Sequence, residues 1–327
     1  MGEGGAIGPS YGRLSCRAVP TPSAARRASL QADLLAWFER DGRRFDFRGP
    51  RDPYGVLVAE VILQQTQASR GEPAWRAFLQ RFPTVQDLAE ASSADVLRAW
   101  AGLGYNRRAL NLWRTARLVV TEHGGRFPSG IGELERLPGI GPYTARAVAA
   151  IAFGEPVSAI DTNVRRVLGR LLLGHGARTD PGGAPAPRLL QAAADRLVPE
   201  GRATEWTAAL MDCGALLCRS RAPRCASCPL QPHCAFARGP RRPTPGPVAQ
   251  ASPHGNGAAV ERRYPASRRW LRGRIVARLR ELPEGDWLEL AGPLGEHDAG
   301  AVAAAVASLA GEGLLERDAK GRIRLPH

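Results

Sequence analysis

The chain has 327 residues, 44% of them apolar, which is enough to bury a substantial core and to form two domains. Its formal charge of +14 points to a polyanionic partner, nucleic acid first, because cations that neutralise phosphates release counterions. No run reaches the roughly eighteen uncharged apolar residues of a spanning helix, and the N-terminal stretch lacks the apolar core of a secretory signal, so a cytoplasmic, nucleoid-associated protein without a membrane partner is expected.

Residues 1–28, rich in Gly, Ala, Ser, Pro and Arg without periodicity, read as a disordered tail. Residues 29–238 read as one all-α domain, a succession of helices separated by Gly and Pro turns. Leu34, Leu35, Trp37 and Phe38 give the first apolar face, and Asp52-Pro53 opens a second helix. Further helices are expected around 74–81, 93–101, 106–121, 142–153 and 162–173. On the second helix, Glu60 has Val56, Leu57, Leu63 and Gln64 as its helical neighbours. Desolvation there favours the protonated carboxyl, a general acid near neutrality. Gln64 and Gln65 offer amides to base edges, although a solvated helix end is an equally plain reading.

The segment LPGIGPYTARAV (137–148) is a hairpin with Gly139 and Gly141 running into a helix. Its backbone can approach a phosphate closely and offer N–H groups from the helix start; the alternative is an ordinary tight turn between core helices. Asp161, between an apolar run and Thr162-Asn163-Val164, is placed as an N-cap. The same carboxylate can stabilise an oxocarbenium-like sugar. Cys218, Cys225, Cys228 and Cys234 fall within seventeen residues, a set for zinc or a 4Fe-4S cluster, and the spacing favours the cluster over a zinc ribbon. Cys16 and Cys213 read as a tail thiol and a small core residue.

Residues 239–260 have the composition of a linker. Residues 261–327 follow with two helices and two short strands around Ala319-Lys320-Gly321, a small winged-helix-like α+β domain. Its arginines 262, 263, 268, 269, 272, 274, 278 and 280 suit a nucleic-acid contact or a solvated face. Of 45 basic side chains 44 are arginine, so Lys320 is the only lysine and no side-chain amine precedes it for a Schiff base.

In order and spacing, AEVILQQTQ (59–67), WAGLGYNRRALNL (100–112), LPGIGPYTARAV, IDTNVRRVLGR (160–170) and the cysteine set make the chain resemble the A/G-specific adenine DNA glycosylases, in the superfamily that includes endonuclease III. The resemblance implies a two-lobed helix-hairpin-helix domain with a structural or DNA-sensing 4Fe-4S cluster on the four cysteines. It implies that Glu60 protonates adenine, that Asp161 stabilises the sugar cation, and that Tyr143 and Asn163 shape the charge around them. Gln65 and Tyr105 are implied to wedge into the duplex where the base is flipped out. Gln64, Gly139, Gly141 and Arg48, the last in RRFDFRGP (43–50), complete the DNA-contacting set. The expected partner is double-stranded DNA with a mismatch, bound by a monomer that hydrolyses the adenine glycosidic bond opposite 8-oxoguanine or guanine.

The chain departs from the family pattern at Phe47, where Trp is usual, at Asn106, where a second aromatic is usual, and at Thr162, where Gly is common. The family's usual C-terminal module, resembling a nucleotide hydrolase, has no evident counterpart. Two other readings compete: a thymine or uracil glycosylase acting on G mismatches, and a non-catalytic iron-sulfur DNA-binding regulator.

Overall fold

The computed structural model describes residues 19–49, 51–174, 187–239 and 264–326. Among the described residues the first helix is α1 (Ala24–Asp41), capped by Ser23, followed by α2 (Pro53–Leu63), α3 (Ala68–Arg81), α4 (Val85–Glu90) and α5 (Ser93–Ala99). Next come α6 (Arg107–His123), α7 (Ile131–Leu134), α8 (Pro142–Ala152) and α9 (Thr162–Leu173). After α10 (Pro187–Asp195), α11 (Ala203–Asp212) and the short α12 (Ala235–Arg238), the C-terminal segment holds α13 (Arg268–Arg280) and α14 (Ala299–Gly311). It ends in the antiparallel pair β1 (Glu316–Arg317) and β2 (Ile323–Arg324), with Leu288 bridging to Ile323 as a third extended piece.

The chain forms two compact units. The first takes the chain up to Arg43 and from Gly154 to Thr244. Its core joins Leu30, Leu34, Trp37 and Phe38 of α1 to Val164, Val167, Leu168 and Leu171 of α9, with Trp206 and Leu210 of α11 closing it. These α1 positions recur at i, i+3/i+4 and i+7/i+8, the stripe a core-facing helix needs. The second unit takes Arg44–Phe153 and the C-terminal segment. Within it α2 is buried from Tyr54 to Ile62, which explains why its sequence is apolar almost all round. Phe78 meets Phe82 and Trp100 edge-on at 5.1 and 5.7 Å, the geometry aromatic quadrupoles prefer.

Two expectations change, and one falls outside the described residues. The tail ends sooner than residue 28: residues 1–18 lie outside the described residues, and the chain is helical from Ala24 because Ser23 accepts from Arg26 N–H. The linker, from residue 240, also lies outside them, as do Cys16, Arg262 and Arg263. The C-terminal segment has its own small core, with Leu271, Ile275 and Leu279 of α13 buried alongside Val302, Val306 and Leu309 of α14. It is nevertheless part of the second unit: the Ser93 hydroxyl donates to the Pro326 carbonyl at 2.9 Å.

Candidate active site

Glu60 and Gln64 sit on the last turn of α2, Glu60 only 8% exposed and Gln64 half-buried. The helix is started by Asp52, whose carboxylate accepts from Gly55 N–H at 2.8 Å, with Pro53 where no donor is needed. It stops at Gln64, whose side-chain amide donates to Thr144 Oγ1 of α8 at 3.4 Å. Gln65 follows, exposed, with φ +58°. Tyr105, 43% exposed, has φ +46°. Side chains other than glycine pay roughly 1–2 kcal/mol in that region, so both implied wedge residues are held in a costly backbone state.

One guanidinium explains how. Arg108 Nη1 donates to the carbonyls of Val61, Ile62 and Gln64 at 2.6, 3.1 and 2.6 Å, the acceptors that the end of α2 leaves unpaired. Its Nη2 donates to Leu103 and Gly104 at 3.0 and 3.2 Å. The carbonyls immediately before Gln65 and before Tyr105 are therefore tied to the same side chain. Burial pulls the Arg108 pKa below the ordinary arginine value, a cost these charge-assisted bonds offset.

The hairpin is fixed from α6. Thr115 Oγ1 donates to Pro138 O at 3.0 Å, and Gly139 has φ +78° with Asn111 Nδ2 2.6 Å from where a Cβ would stand. Gly141, the N-cap of α8, is different: its φ is −92° and a Cβ there would meet nothing within 4 Å. Its exposed backbone is open to a ligand at the start of an eleven-residue helix, with half-buried Tyr143 in the first turn. A cavity of about 70 Å³ between α2, α6 and the hairpin is lined by Gln64, Arg108, Asn111 and Gly139, polar enough for water. Arg48 lies in the turn Asp46–Arg48, its guanidinium 5.1 Å from the Phe45 ring, and Arg76 of α3 pins that turn through Asp46 at 2.7 Å. Phe47, the departure from Trp, stacks on Phe45 at 4.9 Å.

In the first unit Asp161 caps α9, accepting from Val164 N–H at 2.6 Å and from Asn163 Nδ2 at 3.1 Å. Arg166 donates to Asn163 Oδ1 at 2.8 Å and to the carbonyls of Gly214 and Cys218. This fixes the amide of Asn163, nitrogen toward Asp161, and links the acid to the cysteine segment. Gly214 is required in that packing, because a Cβ would stand 2.8 Å from Asn163 Cβ. It belongs to a π-helical turn, Cys213–Leu217, that delivers Cys218.

Cys218, Cys228 and Cys234 pack against the first unit's core. Arg170 Nη1 donates to Cys218 Sγ at 3.4 Å, and the same guanidinium stacks on Phe236 at 5.0 Å. Cys213, read from sequence as a core residue, is fully buried but has its sulfur 4.0 Å from that of Cys228. The hydrogen bond from Cys213 brings the Cys228 thiol down to about 7, against burial and with help from the N–H groups of Leu230 and Gln231. The same bond, and then burial, pushes Cys213 up, and burial raises Cys234. Among the described residues no three His, Cys, Asp or Glu side chains close on one metal-ion position.

The structure thus gathers Glu60, Gln64, Gln65, Tyr105, Tyr143 and the hairpin glycines in the second unit, and Asp161, Asn163 and the cysteines in the first. Arg108, Arg166 and Arg170 escaped the sequence reading. Their partners are mostly backbone carbonyls, which leave no trace in residue type, and each sits in an arginine-rich helix.

Residues 58–182 match the HhH-GPD superfamily base excision DNA repair protein model, a span from α2 past Asp161 that stops before the cysteines. The adenine DNA glycosylase of Mycobacterium tuberculosis is 37% identical over 318 residues, covering 94% of this chain and 97% of that protein. The human adenine DNA glycosylase is 37% identical over 219 residues, 64% of this chain and 40% of its own. Among solved structures, a thermostable thymine-DNA glycosylase aligns with TM-score 0.58 at 29% identity, over 65% of this chain and 97% of that one. Endonuclease III in a non-covalent DNA complex shares the fold, with TM-score 0.54 at 22% identity, over 66% of this chain and 97% of that one.

Proposed function

The chain belongs to the adenine DNA glycosylases of the HhH-GPD base excision repair superfamily, and from that premise we propose how its residues divide the work of removing adenine mispaired with 8-oxoguanine or guanine. The burial of Glu60 at the end of α2, beside the half-buried amide of Gln64, is the observation that carries the assignment. Glu60 gives a proton to the adenine ring as the C1′–N9 bond breaks and its electron pair leaves with the base. Asp161 faces the sugar cation, held by its cap bond and by Asn163, until water adds at C1′ and gives up a proton, which restores Glu60 to its acid form. Tyr143 lines the same chemistry from the first turn of α8. The base reaches these groups only when flipped, and Gln65 and Tyr105 fill the space it vacates. Gly139, Gly141, Gln64 and Arg48 contact the duplex, without reading sequence at the hairpin.

The donor set Cys218, Cys225, Cys228 and Cys234 fits an iron-sulfur cluster: four thiols on one short segment, three against the core, one already inclined to the thiolate and one receiving a guanidinium N–H. A 4Fe-4S cluster there would cross-link the segment after α11 and supply no redox step to the hydrolysis. The enzyme acts as a monomer in the cytoplasm, on the nucleoid. Incubation with duplexes carrying A:8-oxoG, A:G, U:G and T:G, followed by alkali, tests the substrate. Cleavage at adenine is expected. The similarity to a thymine-DNA glycosylase supports a second reading, and nicking confined to U:G or T:G would establish it in place of the first.

A further inference from the structure

The loop that carries Tyr105 is held in its shape by side chains from several elements. Gly102, Gly104 and Tyr105 have φ of +80°, +68° and +46°, and a Cβ at either glycine would meet nothing within 4 Å. A tyrosine in that region persists only where its surroundings over-determine it. Arg108 is one such restraint, and Trp100 Nε1 and Arg70 Nη2 add donors to Gly104 O and Gly102 O at 3.1 and 3.3 Å. Two more come from α13, in the C-terminal segment. Arg280 Nε donates to Leu97 O of α5 at 2.7 Å and its Nη2 to Asn106 Oδ1 at 2.8 Å, so it grips the chain on both sides of the loop. The Arg269 guanidinium lies 4.2 Å from the centroid of the Tyr105 ring.

These placements differ from those of a solvated basic helix. Burial lowers the Arg280 pKa to about 10, so the side chain stays charged at neutral pH at a desolvation cost that a free surface arginine never meets. Asn106 is one of the positions where the chain departs from the family pattern, and its amide finds its partner in the C-terminal segment. Arg272 is committed elsewhere, to Ser308 and Glu312.

We propose that Arg280 and Arg269 are positioning residues for Tyr105, so that the C-terminal segment controls extrusion of the target base and does more than add affinity for DNA. The proposal rests on Tyr105 being a wedge. In it, Arg280 sets the backbone of the loop while exposed Arg269 holds the ring face on, ready to enter the stack.

The test uses the full chain and an A:G duplex whose target adenosine carries a 2′-fluoro sugar, extruded without cleavage, beside a 2-aminopurine that brightens when unstacked. Arg280→Met keeps the bulk and removes the donors; Arg269→Gln is exposed and cannot endanger the fold. Each is expected to cut the extrusion signal and the single-turnover rate on unmodified A:G by the same factor, on the order of tenfold for Arg280→Met and threefold for Arg269→Gln. Duplex Kd should change less than about twofold, Arg280→Lys should restore part of the loss, and neither variant should add to Tyr105→Ala in a double-mutant cycle. If Tyr105→Ala extrudes normally, the wedge reading falls and the proposal with it. If Tyr105→Ala is defective and the arginine variants are normal, or additive with it, the proposal alone is overturned. Should Arg280→Met fail to fold, the Arg269→Gln cycle decides.

Discussion

Glu60 is an acid on a helix whose other buried positions are apolar or aromatic, and that contrast made it readable without a structure. Asp161 was readable as a cap, and it is one. Replacing Glu60 with Gln preserves volume and removes the transferable proton. Replacing Asp161 with Asn preserves the cap, since Asn accepts from Val164 N–H equally well, and removes the charge. Each is therefore expected to lower single-turnover base release by at least about 10²-fold while leaving duplex Kd within a few-fold. Rapid-quench excision on A:G duplexes beside a binding titration checks this; excision at the wild-type rate by either variant would remove that residue from the proposed roles. The arginines were not readable in this way. A guanidinium that serves five carbonyls, as Arg108 does, looks in sequence like any other in Asn106-Arg107-Arg108, because its role depends on where the end of α2 and the loop before α6, about forty residues apart in sequence, come together.

At the scale of elements, long periodic helices such as α1, α6 and α9 were legible because a stripe at 3.6-residue spacing must face a core. The short helices α4 and α7, with six and four residues, span too few turns to show a stripe, and α10, with nine, turns only alanines and one leucine to the core, so its inner face escaped the sequence reading although it is well separated from the outer one. The hairpin was legible as a turn, but only structure distinguishes its two glycines. Gly139→Ala forces a side chain into φ +78° and against Asn111, so a loss of about 1–3 kcal/mol and a lower Tm are expected. Gly141→Ala meets open space at an ordinary φ, so its Tm should fall little while its methyl obstructs the phosphate and weakens duplex binding. Melting and binding on the same two preparations separate these effects; equal Tm losses would contradict the distinction. The cysteine loop gives a parallel contrast. Purified protein should be brown, with broad absorption near roughly 400 nm. Cys218→Ser should lose that colour, whereas Cys213→Ala, which removes only a neighbouring thiol, should keep it. A colourless, zinc-loaded wild-type protein prepared anaerobically would exclude the cluster.

For the whole molecule, sequence suggested a small C-terminal domain following a linker, with arginines suited to a nucleic-acid contact or a solvated face. Instead Arg272 and Arg280 are spent on contacts within the second unit. Composition cannot distinguish an arginine that pairs internally from one that faces solvent. Nor is that segment foreign to the family: the match to the Mycobacterium tuberculosis protein covers too much of both chains to leave it out. One property is legible only over the entire sequence, namely the supply of amines. Lys320 is the only lysine, exposed at the β1–β2 turn of the C-terminal segment, while the hairpin-helix start carries Tyr143. A lysine amine at the sugar carbon can form a Schiff base and drive β-elimination, and a phenol cannot. The wild-type enzyme should therefore leave an intact abasic site that breaks only after heat or alkali, and borohydride should trap no covalent complex. Tyr143→Lys should gain trapping, because the first turn of α8 is the positive end of a helix and disfavours the ammonium form, keeping part of the amine nucleophilic near neutrality. The gain should rise with pH as more amine is released. Borohydride trapping of the wild-type chain at a rate comparable to base release would show an amine at the sugar carbon and contradict the division between hydrolysis and strand cleavage.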